Sequence, residues 1–278
     1  MSDLRETIRG QVRTLFGTTD DNQLDLTRPA GDPGLIGADS VAWKVHGDLT
    51  AMMIGGTASL LMQMLHPAAL AGVWDHSGFR RDMQGRLRRT AQFVSGTTYG
   101  STALAERLID RVRRVHGHVR GTLPDGTPYA ADDPALLTWV HVAEAQCFLA
   151  SYRRHVDPAL SVADEDRYLA ETAEIARRLG ATEVPTDRAS LAASLARYRP
   201  ALRADHRSRA VATALLGQPS PTPELEPFRR LVMDGAVDLL PDWAARLHGF
   251  SPRPLGAAGR RLAVAGVGGV MRWALKDG

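Results

Sequence analysis

The chain has 278 residues, 44% of them hydrophobic and 23% charged, which is enough for one large buried core or two modest ones. The 34 Lys and Arg against 31 Asp and Glu leave a formal charge of +3, too small an excess to point to nucleic acid. The single cysteine, Cys147, excludes an intrachain disulfide, and its place in an apolar run reads as a small buried hydrophobe.

Helical periodicity dominates the chain. Ser2 reads as the N-cap of a first helix to about Phe16, and the start lacks the apolar core of a signal peptide, so the expected location is cytoplasmic. Residues 18–38, rich in Pro, Gly and Asp, read as a loop. A long helical region follows from Ser40 to Val73, kinked at His66-Pro67, where proline removes a backbone donor. Ala51 to Trp74 carries no formal charge if His66 is neutral. Gly55-Gly56, Gln63 and His66-Pro67 interrupt it, so it reads as a buried helix and not a stable transmembrane span.

Residues 75–90 are polar and basic, and a helix is expected over Ser101–Val119. The turn at Asp125-Gly126 allows a short hairpin between Gly121 and Pro128, the one place where β-structure is expected. Asp133-Pro134 starts a helix to about Arg154, and Ser161–Leu179 follows, closed by Gly180. Further helices are capped by Thr186, continue over 201–216, begin at Thr222-Pro223, and finish the chain over Trp243–His248 and Pro254–Leu275. The basic, apolar last helix, with Arg260, Arg261 and Arg272, leaves peripheral membrane contact open. No repeat or linker divides the chain, so the expectation is one all-α, multi-helix domain over 1–278.

Common catalytic motifs are missing. There is no Gly-rich phosphate loop, no paired Glu-x-x-His, no His-Glu-x-x-His and no Gly-x-Ser-x-Gly elbow. The histidines remain. Leu104, Leu108, Val112, Val115 and Val119 form an apolar stripe, and His116 adjoins it while His118 falls with Arg111 and Arg114 on the polar side. His116 therefore reads either as a hydrogen-bonded core histidine or as a ligand. His141 lies in a helix that is apolar almost all round, and the same two readings hold there. His66 reads as a capping residue at the kink and His76 as a hydrogen bonder at a helix end. Arg86, Arg88, Arg89 and Thr90 read either as a solvated basic face or as a site for a carboxylate or phosphate.

Several segments occur in a recognisable order: Leu65-His66-Pro67-Ala68; Gly72 through Phe79 with Asp75-His76-Ser77; Arg86-x-x-Arg89-Thr90; Val112 through Gly121; Tyr129 through Pro134 running into Trp139-Val140-His141; and Leu239-Leu240-Pro241. Over residues 30–250 the chain resembles the oxygenase MpaB family, relatives of the latex clearing proteins. The resemblance implies an all-α, globin-like core around one b-type haem (heme b, with its iron). It implies a haem-dependent oxygenase acting with dioxygen on an apolar or amphipathic small molecule; a non-catalytic haem or hydrophobic-ligand protein, a sensor or carrier, is the alternative. By match to the family pattern, His116 becomes the proximal iron ligand, with His141 as the alternative. Arg86, Arg89 and Thr90 match the distal haem pocket, and His66 and His76 become candidate proton carriers. The rubber oxygenases carry a distal glutamate upstream of the Arg-Thr pair, whereas Leu65 to Val73 holds no carboxylate here, and Asp75 and His76 are the nearest polar groups.

Overall fold

The computed structural model describes residues 24–220, 222–251 and 257–275. The helix expected over Ser2–Phe16 lies outside them. The described residues form twelve α-helices and one two-stranded hairpin, so the expected all-α class holds.

The long region from Ser40 to Val73 splits into three helices. Ser40 caps α1 (Val41–His46) by accepting from the Trp43 amide, and Asp48 caps α2 (Leu49–Gln63) by accepting from the Ala51 amide at 2.8 Å. Met64–His66 break the chain again, and Pro67 opens α3 (Pro67–His76) at a position where its missing N–H costs nothing. The break is therefore complete and not a kink. The freed Leu65 carbonyl is satisfied by the Arg203 amide at 2.9 Å.

The basic stretch holds a helix that composition conceals. Asp82 caps α4 (Met83–Tyr99), and its carboxylate accepts from the Gly85 amide and from Arg89. Ser101 caps α5 (Thr102–His116), which returns antiparallel along α4: Gly96 faces Leu108, and Gly100 faces Leu104. Strands β1 (Arg120–Thr122) and β2 (Pro128–Ala130) form the expected hairpin, with Gly121 opposite Tyr129. Asp133 and Pro134 open α6 (Pro134–His155) as expected. α7 (Val162–Leu179) ends at Gly180, whose φ of 108° favours glycine. Asp187, one residue past the expected cap, opens α8 (Arg188–Tyr198). Helices α9 (His206–Leu216), α10 (Glu226–Leu239), α11 (Asp242–His248) and α12 (Ala257–Leu275) complete the order.

The core is built on α2 and α6, which run antiparallel in close contact. Ser151 donates to the Ala51 carbonyl at 2.7 Å, and the Trp139 indole donates to the Gln63 carbonyl at 3.4 Å. Between these points Gly55 meets the α6 backbone: a Cβ there would lie 3.0 Å from the Cys147 oxygen and the Phe148 Cα. Cys147 is buried beside Met62, as a small hydrophobe. α10 covers another side of α2, with Gly235 over Ile54, and α11 is pinned to α2 by His248 Nε2 on the Leu61 carbonyl at 2.8 Å. No described helix is long and apolar enough to cross a membrane.

These contacts set a contrast between two glycines. Gly55→Val puts methyl groups into α6 backbone that cannot give way, and is expected to cost about 1–3 kcal/mol. Gly266→Ala, in α12, meets open space and is expected to stabilise by up to about 1 kcal/mol through helix propensity. Urea midpoints of the two variants check this, and equal shifts would contradict the packing described for α2 and α6.

Candidate functional site

The sequence places its candidate residues on four elements, and the structure brings only some of them together. Arg86 and Thr90 lie one turn apart on α4, both half-buried. The Thr90 hydroxyl donates to the Arg86 carbonyl at 3.2 Å, so it turns back onto its own helix. The Arg86 guanidinium is largely removed from water, which pushes its pKa down, and Arg89 adds to that. Among the described residues no carboxylate pairs with it, although such a buried cation favours an anion. Arg89, by contrast, is exposed and pairs with Asp82 at 3.2 Å, so it serves the start of α4.

The antiparallel register of α4 and α5 sets the last turn of α5 beside the first two turns of α4. His116 therefore comes to the same end of the hairpin as Arg86 and Thr90. It is half-buried, and loss of water lowers its pKa against the attraction of Asp132. The stripe expected beside it runs only part of the way. Leu104, Ala105 and Ile109 are buried, but Val115 is 55% exposed, because the last turn of α5 overhangs the core. His118 is exposed, as expected, and binds the Arg114 carbonyl at 2.7 Å.

His141 points into the interior from α6. It is 9% exposed, and its Nε2 has no hydrogen-bond partner. Burial, with Arg177 adding to it, lowers its pKa to about 4, so the imidazole is neutral with an unused ring nitrogen. His66 occupies the N-cap of α3 between the rings of Trp139 and Tyr198. Its Nδ1 is also without a partner, and burial holds its pKa down at about 4. His76 ends the same helix, about 15 Å along the axis from His66. Its Nε2 meets the Tyr129 hydroxyl at 3.2 Å, and that hydroxyl donates to Asp75 at 2.8 Å. Asp75, His76 and Tyr129 thus tie α3 to the hairpin, and His66 does not join them.

The sequence reading gave no role to a second group of polar residues inside the core. Glu144 is the one charged side chain between Pro134 and Tyr152. Burial raises its pKa to about 7, opposed by a hydrogen bond with Gln63, whose amide also donates to Ser59 at 2.8 Å. Close by, His46 bonds Thr98 Oγ1 at 2.8 Å and the Tyr168 hydroxyl at 3.1 Å. Burial lowers the pKa of His46 to about 4. Their partners lie far apart in sequence, and only the isolated Glu144 leaves a trace there. Among the described residues no three His, Cys, Asp or Glu side chains converge as ligands for a metal ion. Any metal held by these histidines must bring most of its own coordination, as a haem does.

The pKa values predict the pH response. A histidine with its folded pKa near 4 binds fewer protons folded than unfolded between 4 and 6.5. The stability contributed by His46, His66 and His141 is therefore present above pH 6.5 and lost as pH falls toward 4. Glu144, raised to about 7, acts in the opposite direction, losing stability as pH rises through its ordinary range to 7. Three histidines outweigh one glutamate, so acidification from pH 7 to 4.5 should destabilise the fold. In His46→Gln, which keeps hydrogen-bonding capacity toward Thr98 and Tyr168, the loss should be smaller by roughly 2 kcal/mol. Urea midpoints at the two pH values measure it, and an unchanged loss would contradict the buried neutral state of His46.

The chain has no significant match among curated proteins or solved structures. A family model described as ER-bound oxygenase mpaB/B'/Rubber oxygenase, catalytic domain, matches residues 43–273. That span runs from α1 to α12 and takes in the Arg86–Thr90 turn, His116, His141 and the hairpin. The helical chain with these buried imidazoles therefore belongs to the mpaB and rubber oxygenase catalytic-domain family.

Proposed function

We propose that this family member is a haem b-dependent oxidoreductase that acts with dioxygen on an apolar or amphipathic small molecule. The observation that carries the reading is the pairing of a neutral, desolvated imidazole on α5 with a desolvated guanidinium on α4 at one end of the same helical hairpin. An iron ligand must be the neutral imidazole, and burial supplies that state at His116. Arg86 needs an anion, and a haem propionate provides one. A bound haem would supply the redox-active iron. The chain supplies the ligand, the polarity and the exclusion of water.

His116 would hold the iron of such a group, and the charge of Asp132 acts on its imidazole. Arg86 would pair with an acidic group of the cofactor. The Thr90 hydroxyl, one helical turn away, offers a donor once it leaves the Arg86 carbonyl. His66 Nδ1 is a free acceptor at the start of α3, and His76 Nε2 reaches Asp75 through Tyr129, so both are positioned to hold or pass a proton. His141, with its unused Nε2, is the alternative ligand. A non-catalytic haem or apolar-ligand protein is the second reading, favoured by the lack of any carboxylate from Leu65 to Val73.

Absorption spectra and pyridine haemochrome analysis of the purified protein test both readings. The expected result is a Soret band with about one haem per chain, as single-histidine ligation implies. His116→Ala should lose stoichiometric haem, and Arg86→Ala should weaken its retention by about tenfold. Loss in His141→Ala alone transfers the ligand to His141. Full haem content in both folded histidine variants, or no haem uptake by the parent chain, overturns the assignment. Consumption of dioxygen with substrate turnover separates the enzyme from the carrier.

A further inference from the structure

α5 turns a basic side to solvent that its packing does not use. Arg107, Arg111 and Arg114, with His118 just past the end of the helix, are separated by four, three and four residues and so share one face. All four are exposed, and Arg113 is exposed at the edge of the same side. Two shallow, open depressions lie along this surface. Arg107, Asp110, Arg113 and Arg114 line one, and Arg111, Arg114, Val115 and His118 line the other. Among the described residues none of the four arginines is ion-paired; Arg114 Nε reaches the Asp110 carbonyl at 3.4 Å. Of the two acids of α5, Glu106 is taken by Arg178 of α7, which leaves Asp110 against four guanidinium groups.

Local helix chemistry accounts for part of this face. Cations in the last turn suit the negative end of the helix, which explains Arg113 and Arg114. It does not explain Arg107, two turns earlier, set one turn from Arg111 where like charges repel. Nor does it explain Val115, which is 55% exposed beside these cations. The composition of the face points to its partner. α5 has no aromatic side chain on which a nucleic-acid base could stack. A soluble polyanion would gain from the arginines and nothing from Val115. A lipid surface gains from both, with phosphate groups against the guanidinium groups and the valine at the edge of the acyl region. The face is also a single convex helix side, which suits a broad flat surface better than a narrow groove.

We propose that the face formed by Arg107, Arg111, Arg114 and Val115 docks the protein reversibly on an anionic phospholipid surface. The helix lies along that surface, the arginines supply the attraction and Val115 adds a small apolar contact. The face uses neither His116 nor Arg86, so it stands apart from the haem reading.

Sedimentation of the full chain with vesicles tests this, comparing phosphatidylcholine containing one quarter phosphatidylglycerol with phosphatidylcholine alone. Binding to the anionic vesicles should be at least about tenfold tighter, and molar salt should abolish the difference by screening. Arg111→Gln combined with Arg114→Gln should weaken that binding at least about tenfold, since each arginine near such a surface is worth about fivefold. Arg209→Gln combined with Arg246→Gln removes the same charge from exposed positions on α9 and α11, and should cost less than about threefold. Val115→Ser should weaken binding by about threefold through lost apolar contact. All these side chains are exposed, so the variants keep the fold, and circular dichroism checks it. Equal binding to the two vesicles, equal loss in the two double variants, or an unchanged Val115→Ser each overturns the proposal. Arginine-dependent binding to polyuridylate without vesicle binding gives the face to nucleic acid and overturns it as well.

Discussion

The close approach of α2 and α6 is the constraint on which the other contacts depend. α2 carries no charge along its fifteen residues, and α6 carries one charge before its final turn. Neither can face water on a broad side, so the molecule surrounds them. Gly55 permits backbone contact at the crossing, and Ser151 and Trp139 fix the register on either side of it. Once that register is set, α10 and α11 have a defined surface to cover, and α1 and α7 are placed against the other flank. The imidazoles at the margins of this contact are desolvated as a consequence, which keeps His46, His66 and His141 neutral.

Desolvation acts with opposite effect on the two kinds of ionisable group. It makes histidines better ligands and acceptors, whereas it leaves Arg86 charged and in need of a counterion. A fold that buries an arginine side chain without a carboxylate beside it carries an electrostatic cost, and an anionic ligand removes that cost on binding. Arg89, three residues on, differs in its surroundings. Its guanidinium is in water and already paired with Asp82.

The sequence was most informative where a local rule decides the outcome. Asp133-Pro134 and Ser161 mark their helix starts, Gly180 marks an end, and Asp125-Gly126 marks the hairpin, because capping and turn chemistry act within a few residues. α4 is hidden in the sequence, since Arg86, Arg88 and Arg89 mask a helix whose buried positions are Met83, Gly85, Gly96, Thr97 and Thr98. Thr186 marks the cap of α8 one residue before Asp187, within the ordinary error of helix ends. The stripe Leu104–Val119 fails at Val115, because periodicity shows which face is apolar and not where the neighbouring helix stops. Among the candidate site residues, Arg86 and His116 are legible as a basic cluster and a stripe-edge histidine. The Thr98–His46–Tyr168 chain was not, because its members are 52 and 122 residues apart and only the fold brings them together.

The cap of α2 has a further consequence. Asp48 is 6% exposed, and its second carboxylate oxygen is held by Arg272 of α12 at 2.6 Å, across 224 residues of chain. The helix at the centre of the molecule therefore begins on a buried charge whose counterion lies 224 residues further along the chain. During synthesis α2 can dock on α6 as soon as both have left the ribosome, but the carboxylate remains unpaired until Arg272 follows. A nascent chain that still lacks α12 therefore carries a buried carboxylate at the start of its central helix without this counterion.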